Sequence, residues 1–110
     1  MDPTIISLCG EFDIDRQHEL RDTLEPYYSQ PYLIVDLTQV DYVDSSCLCE
    51  FMRMRAARAE RGFRPACFVV DERRFGRLFR FLGLDEVFPV VHSLEEAFER
   101  VPNRPLVINA

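Results

Sequence analysis

Few side chains in this sequence could do covalent or acid–base chemistry, and they stand apart from one another. Of the two histidines, His18 sits beside Glu19 on a segment of helical spacing and His92 precedes a helix cap. Neither has cysteines or carboxylates at the intervals a metal ion requires. The four cysteines, Cys9, Cys47, Cys49 and Cys67, form no C-x-x-C pair, so neither a zinc site nor a thioredoxin-type redox centre is expected. There is no glycine-rich phosphate loop and no G-x-S-x-G nucleophile elbow. The adjacent carboxylates Asp13/Asp15 and Glu95/Glu96 fall at expected helix starts, where the helix dipole favours negative charge in any case. The reading is therefore not an enzyme, with no catalytic residue, no cofactor and no metal.

Asp44-Ser45-Ser46 is different. One oxygen-bearing side chain suffices to cap a helix, and here three occur in succession. They read either as a redundant cap or as a serine placed to accept a phosphoryl group. In the second case the backbone N–H groups of the helix start would stabilise the phosphate without a basic residue.

The elements that must position this stretch follow from hydrophobic periodicity. Thr4 to Cys9 (TIISLC) reads as a strand closed by Gly10. Asp15 is the expected N-cap of a helix carrying Leu20, Leu24, Tyr27 and Tyr28, which Pro31 stops. Tyr32 to Leu37 (YLIVDL) has the continuous apolar character of a strand buried on both faces, with Asp36 ending it. Ser46 to Arg61 is expected to be a helix with Leu48, Phe51, Met52, Ala56 and Ala59 inward, ended by Gly62. Ala66 to Val70 (ACFVV) reads as a second buried strand. Asp71 then caps a helix with Phe75, Leu78, Phe79 and Leu82 inward, ended by Gly83. Val87 to Val91 reads as a strand that Pro89 places at a sheet edge. Ser93-Leu94-Glu95-Glu96 is a capping box for a last helix with Leu94, Ala97, Phe98 and Val101 inward, stopped by Pro102. Strands alternating with helices predict right-handed crossovers, a mostly parallel sheet and an α/β fold.

Composition bounds the function. With 110 residues, 47% hydrophobic and 29% charged, the chain has the size and make-up of one globular domain over 1–110. Its core is expected at about 4–101, with 102–110 as an extension. The net charge of −6 opposes binding to a phosphate backbone, so nucleic acid is not an expected partner. Seven arginines fall between Arg53 and Arg74, but Glu60, Asp71 and Glu72 interrupt them; the run reads as a solvated helix face, with a docking patch for an acidic partner as the alternative. The Met1-Asp2-Pro3-Thr4 start lacks a secretory pattern, and no apolar run approaches the roughly 20 residues of a membrane span. A cytoplasmic protein with reduced thiols, not inserted in a membrane, is expected.

Gly10-Glu11-Phe12-Asp13 after the first strand, LIVDLTQVDYVDSSCLCEF from Leu33 to Phe51, GFRPACFVV and FGRLFRFLGLDEVFPVVHSLEEA together resemble a STAS domain of the anti-anti-sigma factor type, an anti-sigma factor antagonist. The resemblance runs from about Thr4 to Val101. It implies a four- to five-stranded sheet flanked by about four helices, no enzymatic activity, and partner switching in bacterial regulation. It further implies that an anti-sigma factor that is also a serine-protein kinase phosphorylates the serine after the aspartate, here Ser45, with Ser46 the second choice. The unphosphorylated form would bind that kinase, and a metal-dependent serine phosphatase would reset the cycle. Asp13, Asp44, Ser45, Ser46 and Cys47 would form the partner-binding surface.

Two departures from the family stand out. Cys47 and Cys49 occupy positions where the family usually has glycine; they read as small packing residues rather than a disulfide, because residues two apart point about 200° apart on a helix. The family's usual first strand is absent, which would leave a sheet edge bare, and Leu106 to Asn109 is the candidate to cover it, within the chain or across a homodimer. The alternative function is a STAS scaffold subunit of a lipid or anion transport system. A nucleotide-binding module is the third class considered.

Overall fold

The computed structural model describes residues 3–100 and the backbone of 106–109. Five strands, β1 (Thr4–Phe12), β2 (Leu33–Val43), β3 (Cys67–Val69), β4 (Val90–Val91) and β5 (Leu106–Asn109), form one sheet in the order β4-β3-β2-β1-β5. Every pairing is parallel. The helices are α1 (Gln17–Leu24), α2 (Ser45–Glu60), α3 (Arg77–Phe81), α4 (Leu84–Val87) and α5 (Leu94–Arg100).

Strand order decides which face each helix covers. From β1 to β4 the chain steps across the sheet in one direction, and crossovers of one hand then place α1 to α4 on one face. Leu20 and Leu24 of α1, Cys47, Phe51 and Met54 of α2 and Phe79 of α3 accordingly pack with Ile6, Leu8, Val35, Leu37 and Phe68 of the strands. The step from β4 back past β1 to β5 reverses direction. α5 therefore lies on the opposite face, where Leu94, Ala97 and Phe98 meet Ile5, Ile34, Cys67, Val69 and Val91. Phe68 anchors the larger core, with the rings of Phe51, Phe79 and Phe88 at 4.9, 5.7 and 4.7 Å in edge-on or tilted contacts.

Several local expectations are corrected. β1 does not end at Gly10 but passes through it. The glycine's φ of +86° accommodates a register irregularity, a conformation side-chain-bearing residues rarely adopt. β2 does not stop at Asp36 but continues to Val43, because the Asp36 carboxylate accepts from the Thr38 N–H and hydroxyl at 2.9 and 2.7 Å and turns inward instead of breaking the strand. Asp15 does not cap α1; Asp13 accepts from the Asp15 N–H at 3.0 Å and starts a 3₁₀ turn over Ile14–Arg16 that leads into the helix. Asp71 caps a wide π-type turn over Glu72–Gly76 that precedes α3, and Leu82 is exposed. Of the strand expected at 87–91 only Val90–Val91 forms, at the sheet edge, since 84–87 is helical.

The largest correction concerns α2. Its buried face is Cys47, Glu50, Phe51, Met54 and Arg58, whereas Met52, Ala56 and Ala59, expected inward, face solvent. Two charged residues hold this phase. Glu50, 1% exposed, takes Arg21 in a two-bond pair at 2.9 Å and Gln17 at 2.8 Å. Arg58, also 1% exposed, donates to the carbonyls of Tyr28, Gln30, Pro31 and Arg64. A helix face of methionine and alanine loses little by remaining wet. An inward glutamate clamped to α1 and an inward arginine holding the loop before β2 set the rotation.

Val101, expected at the inward end of the last helix, and the Pro102-Asn103-Arg104-Pro105 connection lie outside the described residues. β5 runs beside β1, Thr4 opposite Leu106 and Ser7 opposite Asn109, so the edge of β1 is covered within the chain.

Candidate functional site

The two aspartates singled out from the sequence follow the carboxyl ends of neighbouring strands. Phe12, the last residue of β1, lies opposite Val43, the last of β2, and the Asp44 N–H donates to the Phe12 carbonyl at 2.8 Å. Each aspartate then opens a helical segment. Asp13 leaves the strand in extended conformation and accepts from Asp15; Asp44 does the same and accepts from the Ser46 N–H at 2.8 Å. Ligands of parallel α/β sheets gather at this carboxyl edge.

Asp44 is the hub. One carboxylate oxygen takes both the N–H and the hydroxyl of Ser46, each at 2.8 Å, and the other receives the Tyr42 hydroxyl at 3.5 Å. Hydrogen bonding from the Ser46 N–H, then from its hydroxyl, holds the Asp44 carboxyl below the usual carboxylate range. Its main-chain carbonyl receives the Cys47 and Leu48 N–H groups at 3.0 and 3.1 Å. The amides of Ser46, Cys47 and Leu48 are thus engaged by Asp44. Three of the helix-start N–H groups expected to receive a phosphate are therefore already engaged in the structure.

The structure separates the other site residues. Ser45 is exposed at the first position of α2, while Ser46 is half-buried with its hydroxyl committed to Asp44. Asp13 is exposed. Cys47, assigned to the partner surface, is wholly buried and cannot touch a partner; its thiol donates to the Asp13 carbonyl at 3.3 Å. Burial pushes that thiol up from its ordinary pKa, opposing the thiolate a redox switch needs. Cys49 is exposed.

Sequence reasoning missed the apolar surround. Ile14, directly after Asp13, is 64% exposed and Tyr42, just before Asp44, is 49% exposed. Met52, also exposed, falls on the α2 stripe through Ser45 and Cys49, seven and three residues before it. The one available signal was phase: Ile14 lies outside the apolar set that α1 turns inward. Among the described residues no group of three or more His, Cys, Asp or Glu could hold a metal ion. His18 is exposed, and His92 contacts the Val70 carbonyl and Glu72 at 3.2 and 3.3 Å.

Comparison with known proteins agrees with this geometry. A family model described as "Mlab, STAS domain" matches residues 2–94, and the chain belongs to the STAS domain family. An anti-sigma-B factor antagonist of Listeria monocytogenes is 29% identical over 87 residues, covering 77% of this chain and 75% of the relative. Among solved structures, an anti-sigma factor antagonist from Mycobacterium paratuberculosis superposes with TM-score 0.75 at 24% identity, covering 94% of this chain and 89% of that one. SpoIIAA, an anti-sigma factor antagonist solved in its unphosphorylated form, superposes with TM-score 0.69 at 18% identity, covering 94% of each.

Proposed function

We propose that this protein is an anti-sigma factor antagonist that works by partner switching and has no enzymatic activity of its own. In its unphosphorylated form it binds an anti-sigma factor that is also a serine kinase. Phosphorylation at Ser45 releases it, and a serine phosphatase restores the binding form. The observation that carries the reading is the contrast between adjacent hydroxyls: Ser45 is exposed at the head of α2 and its hydroxyl acts least of the surrounding groups on the Asp44 carboxyl, while that of Ser46 is half-buried and bound to Asp44 at 2.8 Å. The binding surface is Asp13, Asp44 and Ser45 with Ile14 and Tyr42 around them. The name of the Listeria relative supports the same role. No helix among the described residues is long and apolar enough to cross a membrane, which agrees with a cytoplasmic setting.

A phosphoserine adds roughly −1.5 to −2 charges beside the Asp44 carboxylate, on a chain of net charge −6. Desolvating that charge against a partner without a matching arginine costs several kcal/mol. The test isolates the kinase from the native cytoplasm by pull-down and measures its affinity calorimetrically for wild type, Ser45→Asp and Ser45→Ala, with circular dichroism as the folding control. Ser45→Asp should fold normally and bind at least about a hundredfold more weakly, roughly 2.8 kcal/mol; Ser45→Ala should bind and resist release by ATP. Equal affinities of wild type and Ser45→Asp would overturn the mechanism. Recovery of a transport ATPase, with no phosphate at Ser45, would instead establish the scaffold reading.

A further inference from the structure

The amino ends of β2 and β3, at the far end of the sheet from Ser45, flank an open cleft of about 140 Å³. Its walls are Pro31, Leu33, Pro65 and Pro89, with Tyr32 at the rim and the Cys67 side chain among them. Three arginines, Arg58, Arg64 and Arg100, also line it and, among the described residues, no carboxylate does, although Glu96 lies within electrostatic reach of Cys67. On a chain of net charge −6 this is a local reversal of sign.

Arg58 makes the reversal costly. Its guanidinium is buried, yet among the described residues no carboxylate lies within ion-pair distance of it; the carbonyls of Tyr28, Gln30, Pro31 and Arg64 and the Phe63 ring, 5.4 Å away at its centroid, face it. Carbonyl dipoles satisfy its hydrogen bonds but leave a full positive charge beside the cleft. A buried cation of this kind is balanced by an anion. Arg64 and Arg100 are exposed and make no ion pair among the described residues, so their guanidinium groups are available at the mouth. The Arg58 bond to the Arg64 carbonyl at 2.9 Å fixes the backbone from which Arg64 reaches out.

We propose that this cleft binds a small amphiphilic anion, its phosphate or carboxylate head held by Arg64 and Arg100 over the Arg58 charge and its apolar body lying on Leu33 and the three prolines. Pockets of this kind pair apolar walls with a few convergent polar groups, and planar guanidinium groups suit carboxylate and phosphate alike. The site is independent of Ser45 and would stand if the switch reading fell.

The test titrates the intact chain with octyl phosphate and with octanoate, following backbone amide shifts by NMR; inorganic phosphate and octanol are the head-only and body-only controls. Shifts centred on Leu33, Arg64 and Cys67, with Kd below about 1 mM, are expected for one or both amphiphiles, and comparison of the two identifies the head. Both controls should bind more weakly. The double variant Arg64→Gln/Arg100→Gln, at exposed positions and checked by circular dichroism, should weaken binding at least about tenfold. Cys67, only 7% exposed, should react more slowly with a thiol reagent when ligand is present. Shifts elsewhere, octanol binding as tightly as octanoate, phosphate binding as tightly as octyl phosphate, no binding, or affinity unchanged in the double variant would each overturn the proposal.

Discussion

The Cys47 thiol donates a hydrogen bond to the main-chain carbonyl of Asp13 at 3.3 Å, tying the loop after β1 to the first turn of α2. The two aspartates of the site are held in register by this bond and by the Asp44 N–H on the Phe12 carbonyl. A residue read from the sequence as part of the binding surface therefore works from beneath it.

Cys47 and Cys49 should respond unequally to the same change. Cys47→Ala removes a buried thiol and its bond and should cost about 1 kcal/mol in urea unfolding. Cys49→Ala, at an exposed position, should stay within about 0.5 kcal/mol. Equal effects would contradict the burial difference.

Removing the Asp44 carboxylate should loosen the head of α2 without unfolding the protein. Asp44→Ala should lower stability by about 1 kcal/mol and speed amide exchange at Ser46. Asp44→Asn keeps an acceptor oxygen and should recover most of the loss.

Glu50 gives the fold a dependence on pH of known sign. Arg21, above all, holds its carboxyl below the usual range, so its folded pKa lies below the unfolded value of about 4.3. Such a group stabilises the protein fully above the unfolded pKa and loses that contribution as pH falls through the folded one. Glu50→Gln should cost about 2 to 3 kcal/mol near neutrality. The gap to wild type should close in acid as the native carboxyl is protonated. A gap that persists unchanged under acid conditions would refute the ion-pair account.

Arg58→Lys should not rescue what Arg58→Met loses. A single ammonium cannot span the four carbonyls that the guanidinium reaches. Both variants should fall by at least about 3 kcal/mol in denaturant unfolding. A stable lysine variant would show that charge alone suffices there.

The alternation of strands and helices was legible because apolar runs and caps report locally: Asp44, Asp71 and Ser93 each accept a helix-start N–H. The rotation of α2 was not. Glu50 and Arg58 carry the charge expected of a wet face, and their burial depends on partners 27 or more residues away, Arg21 and the Tyr28 to Pro31 loop. Met52, Ala56 and Ala59 offered a plausible apolar stripe in the wrong phase. Asp44 and Ser45 could be located because a cap and its neighbour are adjacent in sequence. Ile14 and Tyr42 could not, since exposure at strand and helix ends is decided by the fold rather than by period.

The pairing of β1 with β5 sets a timetable for synthesis. Ribosomes deliver about 5 to 20 residues each second, amino end first, so β1 and β2 leave the ribosome while Leu106 to Asn109 have yet to emerge. For that interval the outer edge of β1 is an open row of amide and carbonyl groups, and a free edge recruits strands from any neighbour. On a polysome the nearest neighbours are other nascent copies of the same chain. The last strand thus decides how long each newly made molecule remains vulnerable to its siblings.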